Sequence, residues 1–254
     1  MNRAALIVTA LCELSACEPT LTVGEWVCSP DGTPDAAADV HAPLSIPWST
    51  SFENRFCDYT ASAGFCYEPG TYRAVSSPAH SGRHAAAFTV RAGAPVDFQS
   101  RCVRQGALPK AAYYGVWYLI PSAAQNAGVW NLVHFQGGDQ TAQHGLWDIS
   151  LVNRPDGKLR VVVYDFLNRT GREPTVQVPV PIGSWFHLEL YLSRAADATG
   201  EVALYQDDQL LLHAADIVTD DTNWGQWYVG NYATALTPAD STLYVDDVTV
   251  RATR

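Results

Sequence analysis

From Pro47 to the last residue the chain is written in short runs of alternating apolar and polar side chains, broken by Gly, Asp, Asn and Pro. A period of two marks β-strands with one buried face. The clearest runs are AAAFTVRA, YYGVWYLIP, WNLVHFQ, LWDISLVN, LRVVVYDFLN, WFHLELYLSR, EVALYQDD, QWYVGNYA and TLYVDDVTVR. Between two of them, RPDGK at 154–158 predicts a hairpin turn, where Asp156 and Gly157 tolerate the positive φ of a tight turn. No strand alternates with a helical stretch, which disfavours a parallel α/β sheet. An all-β, two-sheet antiparallel sandwich is expected instead.

Parity assigns faces within each run. In WFHLELYLSR, Phe186, Leu188, Leu190 and Leu192 belong to the core, which turns His187, Glu189 and Tyr191 outward. In WNLVHFQG, Val133 and Phe135 share one face and His134 and Gln136 the other. Antiparallel sheets commonly wet one face, so polar residues there are ordinary in themselves. The chain also carries 12 Tyr and 8 Trp, more than a core of this size calls for. Aromatic faces exposed beside polar groups suit the stacking of sugar rings.

Composition narrows the function classes. The chain has 254 residues, is 47% hydrophobic and only 17% charged, enough to bury the core of one large domain. Its net charge is −10 and Lys110 and Lys158 are its two lysines, which argues against nucleic acid as a partner, because phosphate contacts need clustered Lys and Arg. Residues 1–16, MNRAALIVTALCELSA, have a basic start and an apolar stretch too short to span a bilayer, the outline of a signal peptide. The following LSAC resembles a bacterial lipobox, with Cys17 as the lipidated residue and Glu13 as a departure from an apolar leader. Residues 17–46, with Pro19, Pro30, Pro34 and Pro43, are expected to form a lipidated tether, and 47–254 the folded domain. The expected location is a bacterial cell-envelope lipoprotein, or a secreted protein, touching the membrane through its lipid anchor only. Cys28, Cys57, Cys66 and Cys102 then form an even set suited to disulfides in an oxidising compartment, with three connectivities open. The sequence-near pair Cys57 and Cys66 is preferred, leaving Cys28 with Cys102.

The runs HSGRHAAAFTV, SRCVRQG, YYGVWYLIP, WNLVHFQG, GSWFHLELYL, QWYVGNY and STLYVDDVTV, in this order, resemble the concanavalin A-like jelly-roll polysaccharide lyases related to heparin lyase I and glucuronan lyase. The resemblance covers about residues 48–252. It implies a jelly-roll fold, a polysaccharide partner and β-elimination from a uronic acid. That chemistry needs cations or amides to offset the uronate carboxylate, a base for the proton beside it, and an acid for the leaving oxygen. The resemblance places His134 and Tyr232 as the proton-transferring pair and Arg101 and Gln136 as the carboxylate holders. Arg104, His187, Glu189, Tyr191 and Tyr228 are expected to bind substrate. Two positions depart from the family pattern: Val103 stands where the family has Glu, and Tyr228 where it often has Lys.

No cofactor is required by this chemistry. Glu53, Asp246 and Asp247 resemble the oxygen ligands of a structural calcium ion in related sandwiches, at the meeting of first and last strands. Two other functions share the scaffold. One is a non-catalytic carbohydrate-binding or cell-surface interaction module, which the two departures and the negative charge favour. The other is a glycoside hydrolase, which needs two carboxylates flanking the bond, and the Glu-x-Asp-x-x-Glu pattern of the fold's β-glucanases is absent.

Overall fold

A computed structural model describes residues 43–254 apart from 61–63, 68–69, 94–97, 139–142, 221 and 223. The signal, lipidation and most of the tether assigned above lie outside the described residues, as does Cys28. In chain order the elements are β1 (Trp48–Thr50), α1 (Cys57–Thr60), β2 (Gly64–Tyr67), β3 (Thr71–Val75), β4 (Ala85–Arg91), β5 (Gln99–Gly106), β6 (Ala111–Leu119), β7 (Gln125–Asn126), β8 (Trp130–Gly137), β9 (His144–Asn153), β10 (Leu159–Asp165), β11 (Thr170–Arg172), β12 (Trp185–Ser193), β13 (Gly200–Gln206), β14 (Gln209–Ile217), β15 (Gly225–Ala233), β16 (Leu236–Thr237) and β17 (Asp240–Arg251). Among the described residues, no helix is long and apolar enough to cross a membrane.

Two antiparallel sheets carry the molecule. One runs β14-β13-β12-β6-β17-β4-β3, with β1 also on β17, and the other runs β11-β10-β9-β8-β15-β5-β2. Neighbours distant in sequence, such as β6 beside both β12 and β17, give the crossed connectivity of a jelly roll. Alternation places the core between the sheets. Phe186, Leu188, Leu190 and Leu192 of β12 are buried, facing a layer that includes Trp130, Phe135, Trp147, Val161 and Val163 of the second sheet. Each such side chain contributes roughly 1.5–3 kcal/mol by leaving water. The RPDGK turn forms as expected: Arg154 N–H donates to the Lys158 carbonyl, and Gly157 has φ +77°.

One expectation needs correction. Cys66 pairs with Cys102, its direct partner across β2 and β5, so neither Cys57–Cys66 nor Cys28–Cys102 is formed. Both sulfurs sit on the core side of adjacent strands, and this register outweighs nearness in sequence. Just before Pro47, Leu44 N–H donates to the Ala107 carbonyl, and Leu44 and Ile46 pack against the core.

Candidate functional site

The outward face of the second sheet is set by parity and by one irregularity in β8. Val133 pairs with Ile149 of β9, but Asn131 pairs with Ser150, so Leu132 is an extra residue in the strand. Leu132 and Val133 both enter the core. The bulge thereby returns Asn131 to the outward face that holds His134.

His134 is only 8% exposed, yet it is not sealed among aliphatic groups. Its direct neighbour on β9 is Asp148, whose carboxylate is hydrogen-bonded to the imidazole Nδ1. Its direct neighbour on β15 is Tyr228, stacked on it with ring centroids 5.0 Å apart. Phe166 meets it edge-on at 5.6 Å. Phe166 fits because residue 145 is glycine: a Cβ there would lie 2.8 Å from the phenylalanine ring. With Nδ1 engaged by Asp148, Nε2 is the nitrogen left for chemistry.

Tyr228 joins this imidazole to a cation. The Arg101 guanidinium carbon stands 4.3 Å from the Tyr228 ring centroid, a cation–π distance. Arg101 pairs with Gly230, and a Cβ on residue 230 would come within 2.7 Å of the arginine Cβ, so the glycine lets the two strands carry Arg101 close to the row. The Tyr228 hydroxyl donates to Asn131 Oδ1 at 2.9 Å. Burial pushes its phenol above the ordinary value, more than the Arg101 charge pulls it down. Further along β15, Tyr232 lies opposite Asn131 and Gln99, half-exposed, with Phe98 edge-on at 5.5 Å. At the other end Gln136 pairs with Gln226, which donates an amide hydrogen to it. Arg101, His134, Gln136, Tyr228 and Tyr232 are thus on one face of one sheet.

The remaining sequence candidates are elsewhere. Arg104 alternates with Arg101 and Val103, faces the interior at 1% exposure, and lies 4.2 Å from the Trp48 ring centroid. Burial brings its guanidinium down to about 10. His187, Glu189 and Tyr191 do point outward, as parity predicts, but from β12 in the other sheet, so the whole core separates them from His134. Glu189 is 1% exposed beneath Arg251 and Arg254, whose guanidiniums both bond it. Arg104, His187, Glu189 and Tyr191 therefore cannot share a substrate site with His134.

The acidic residues considered for calcium are engaged as clamps. Glu53 Oε1 accepts the backbone N–H of Arg83 and His84 at 2.6 and 2.9 Å, which holds its carboxyl below the ordinary range. Asp246 Oδ2 accepts from His80 and Ser81 N–H, and Asp247 binds the His80 ring at 2.6 Å and the Ser81 hydroxyl at 2.7 Å. N–H and O–H donors thus occupy the oxygens a cation would need. Among the described residues no three His, Cys, Asp or Glu side chains converge. A cavity of about 340 Å3, lined by Leu108, Lys110, Arg194, Asp220 and Thr222, is built around an Arg194 bonded to Asp220 and to the Leu108 and Thr222 carbonyls. None of the outward-facing residues around His134 lines it.

A family model for polysaccharide lyase matches residues 47–249. The chain belongs to that family. Among solved structures the lyase is similar to an endo-β-1,4-glucuronan lyase from the fungus Trichoderma reesei, at 19% identity and TM-score 0.58, with 74% of this chain and 90% of that one covered. It is also similar to the PL-14 alginate lyase from Aplysia kurodai, at 10% identity and TM-score 0.58, covering 83% and 100%. A third neighbour is the cellulose-induced protein Cip1, at 14% identity and TM-score 0.57, covering 81% and 97%. These likenesses establish the shared jelly-roll fold. The lyase matches none of the curated proteins.

Two members of the lyase's cluster are missing from the sequence expectations. Asp148 is legible in hindsight, because Trp147, Ile149 and Leu151 go inward and leave Asp148 and Ser150 outward. Asn131 is not, since uniform alternation from His134 points it into the core. Together the face supplies a cation, three amides, an oriented imidazole and two phenols, the groups that proton abstraction beside a carboxylate requires.

Proposed function

We propose that this lyase cleaves a uronic-acid polysaccharide by β-elimination on the outward face of the second sheet. The observation that carries the reading is the Asp148–His134–Tyr228–Arg101 array, an imidazole held at Nδ1 beside an arginine and amides suited to a uronate carboxylate. Arg101, with Gln136, offsets the carboxylate charge and so acidifies the C5 proton. His134 Nε2 takes that proton, electrons flow into a new C4–C5 double bond, and the C4–O bond breaks. Tyr232 gives its proton to the departing oxygen and recovers one from water. Tyr228, its hydroxyl committed to Asn131, forms the wall between base and cation. The Cys66–Cys102 bridge supports work in an oxidising compartment, and so export.

Incubating the protein with glucuronan, alginate and heparin should generate the ultraviolet absorbance of an unsaturated uronate. His134→Ala and Tyr232→Phe should each lower that rate by about 100-fold or more while leaving the fold intact. Val103 and Tyr228, standing where the resemblance has Glu and Lys, favour a second reading, a binding module without turnover. Saturable glycan binding with no absorbance across the three polymers would select it.

A further inference from the structure

Among the described residues six large apolar side chains are exposed: Phe65, Val129, Tyr164, Val176, Ile182 and Leu210. Only Phe65 and Tyr164 are aromatic, at 38% and 36% exposure. Both fall in the cross-strand row of His134. Register gives that row in full: Phe65 of β2 pairs with Val103 of β5, Val103 with Tyr228, Tyr228 with His134, His134 with Asp148, and Asp148 with Tyr164 of β10. Parity puts all six on the outward face, because Cys66 and Cys102 on one side and Val163 on the other point into the core.

The spacing suits a chain laid across the strands. At about 4.8 Å between neighbours, Tyr164 stands roughly 10 Å from His134 and Phe65 roughly 14 Å on the opposite side. One strand spacing is close to the length of one pyranose in a β-1,4-linked chain. Tyr164 is held by the edge of Phe166 at 4.7 Å, the same ring that braces His134. Its β11 neighbour is Gly171, around which a Cβ would meet nothing within 4 Å, so that flank of the tyrosine is open. Sugar rings present C–H faces to aromatic surfaces, and a rigid aromatic gives contact area at little entropic cost.

We infer that Tyr164 and Phe65 are stacking platforms for pyranose residues of one polysaccharide chain, placed on either side of the His134 position, so that the chain is gripped at both flanks and cut internally. The inference rests on the proposed reading for its substrate and adds the direction of the chain and two residues that hold it. Binding tests it apart from turnover. The full chain carrying His134→Ala, or Tyr232→Phe as a second background, is run through native gels containing glucuronan or alginate. Retardation by one of the polymers is expected, with apparent affinity falling about tenfold in Tyr164→Ala and in Phe65→Ala and returning in Tyr164→Phe and Phe65→Trp. Leu210→Ala, an exposed apolar truncation on the other sheet, should migrate like its parent. Unchanged retardation in both alanine variants, equal loss in Leu210→Ala, or no retardation of either parent overturns the inference. Failure of the proposed reaction would instead leave retardation in place with no ultraviolet product from the unsubstituted protein.

Discussion

His134 has three neighbours that set three properties of its ring. Asp148 fixes which nitrogen is turned toward a substrate, Tyr228 fixes the ring plane, and Phe166 limits water at its edge. If orientation by Asp148 matters to proton abstraction, Asp148→Asn should lower kcat on the order of 100-fold with little change in KM, because the amide presents the wrong donor and acceptor pattern to Nδ1. Steady-state rates at one pH, with thermal melting to confirm the fold, measure this. Tyr228→Phe keeps the stack but removes the donor to Asn131, an amide at 1% exposure. It should cost roughly 1–2 kcal/mol of unfolding free energy in urea titrations, because the buried Asn131 Oδ1 is left without its donor while Nδ2 stays bonded to the Val133 and Ile149 carbonyls. An unaltered midpoint would show that the hydroxyl does not anchor Asn131. At this scale the sequence holds much of the site: parity alone turns His134, Gln136 and Asp148 to one side, and Arg101 follows from the resemblance. What it lacks is partnership, since the Asp148 contact spans two strands and nothing local encodes their register.

Strands are the unit at which sequence reasoning succeeds and fails for separate reasons. Alternation in β12 gives the right inner set, Phe186, Leu188, Leu190 and Leu192, and the right outer set. It does not say which of two sheets the strand joins, and that is why parity groups His187, Glu189 and Tyr191 with residues on the far side of the core. In β8 the extra Leu132 shifts the phase for every residue before it, so strict alternation misplaces Asn131. β5 fails differently: its inner residues are Ser100, Cys102 and Arg104 and its outer ones include Val103, an inversion of the usual hydrophobic rule that only the neighbouring Cys66 and Trp48 explain. The bridge between β2 and β5 closes a separation of 36 residues. Loop-closure entropy values it at roughly 3–4 kcal/mol. Cys66→Ala with Cys102→Ala should therefore lower Tm by roughly 10 °C. Because β2 also carries Phe65, the double variant should weaken glycan retention as well, which a purely thermodynamic staple at a remote site would not do.

At the scale of the molecule the two outward faces have divided tasks. One gathers the amides, phenols and the imidazole of the candidate site. The other is closed over by its own groups: His80 stacks on Trp117 at 3.8 Å, His187 stacks on the same indole at 5.1 Å, and the Arg251 and Arg254 side chains cover Glu189. This packing gives a pH signature independent of catalysis. Burial lowers the His187 pKa from its ordinary 6.5, reinforced by Arg251 and opposed by Glu189, Asp207 and Asp208. A depressed value means that the unfolded chain takes up a proton the folded one resists. The contribution is present above pH 6.5 and is lost as pH falls through the folded value. Asp246 has the opposite sign, its carboxyl raised by burial. His187→Phe keeps an aromatic ring beside Trp117 and removes the titration. Melting curves for both proteins between about pH 7.5 and 5.5 isolate the residue as a difference: Tm of the unsubstituted protein minus that of the variant should shrink as pH falls. A difference that is flat across this window would mean that the imidazole is as easily protonated in the folded sheet as in water, and that the stack on Trp117 does not exclude solvent from it.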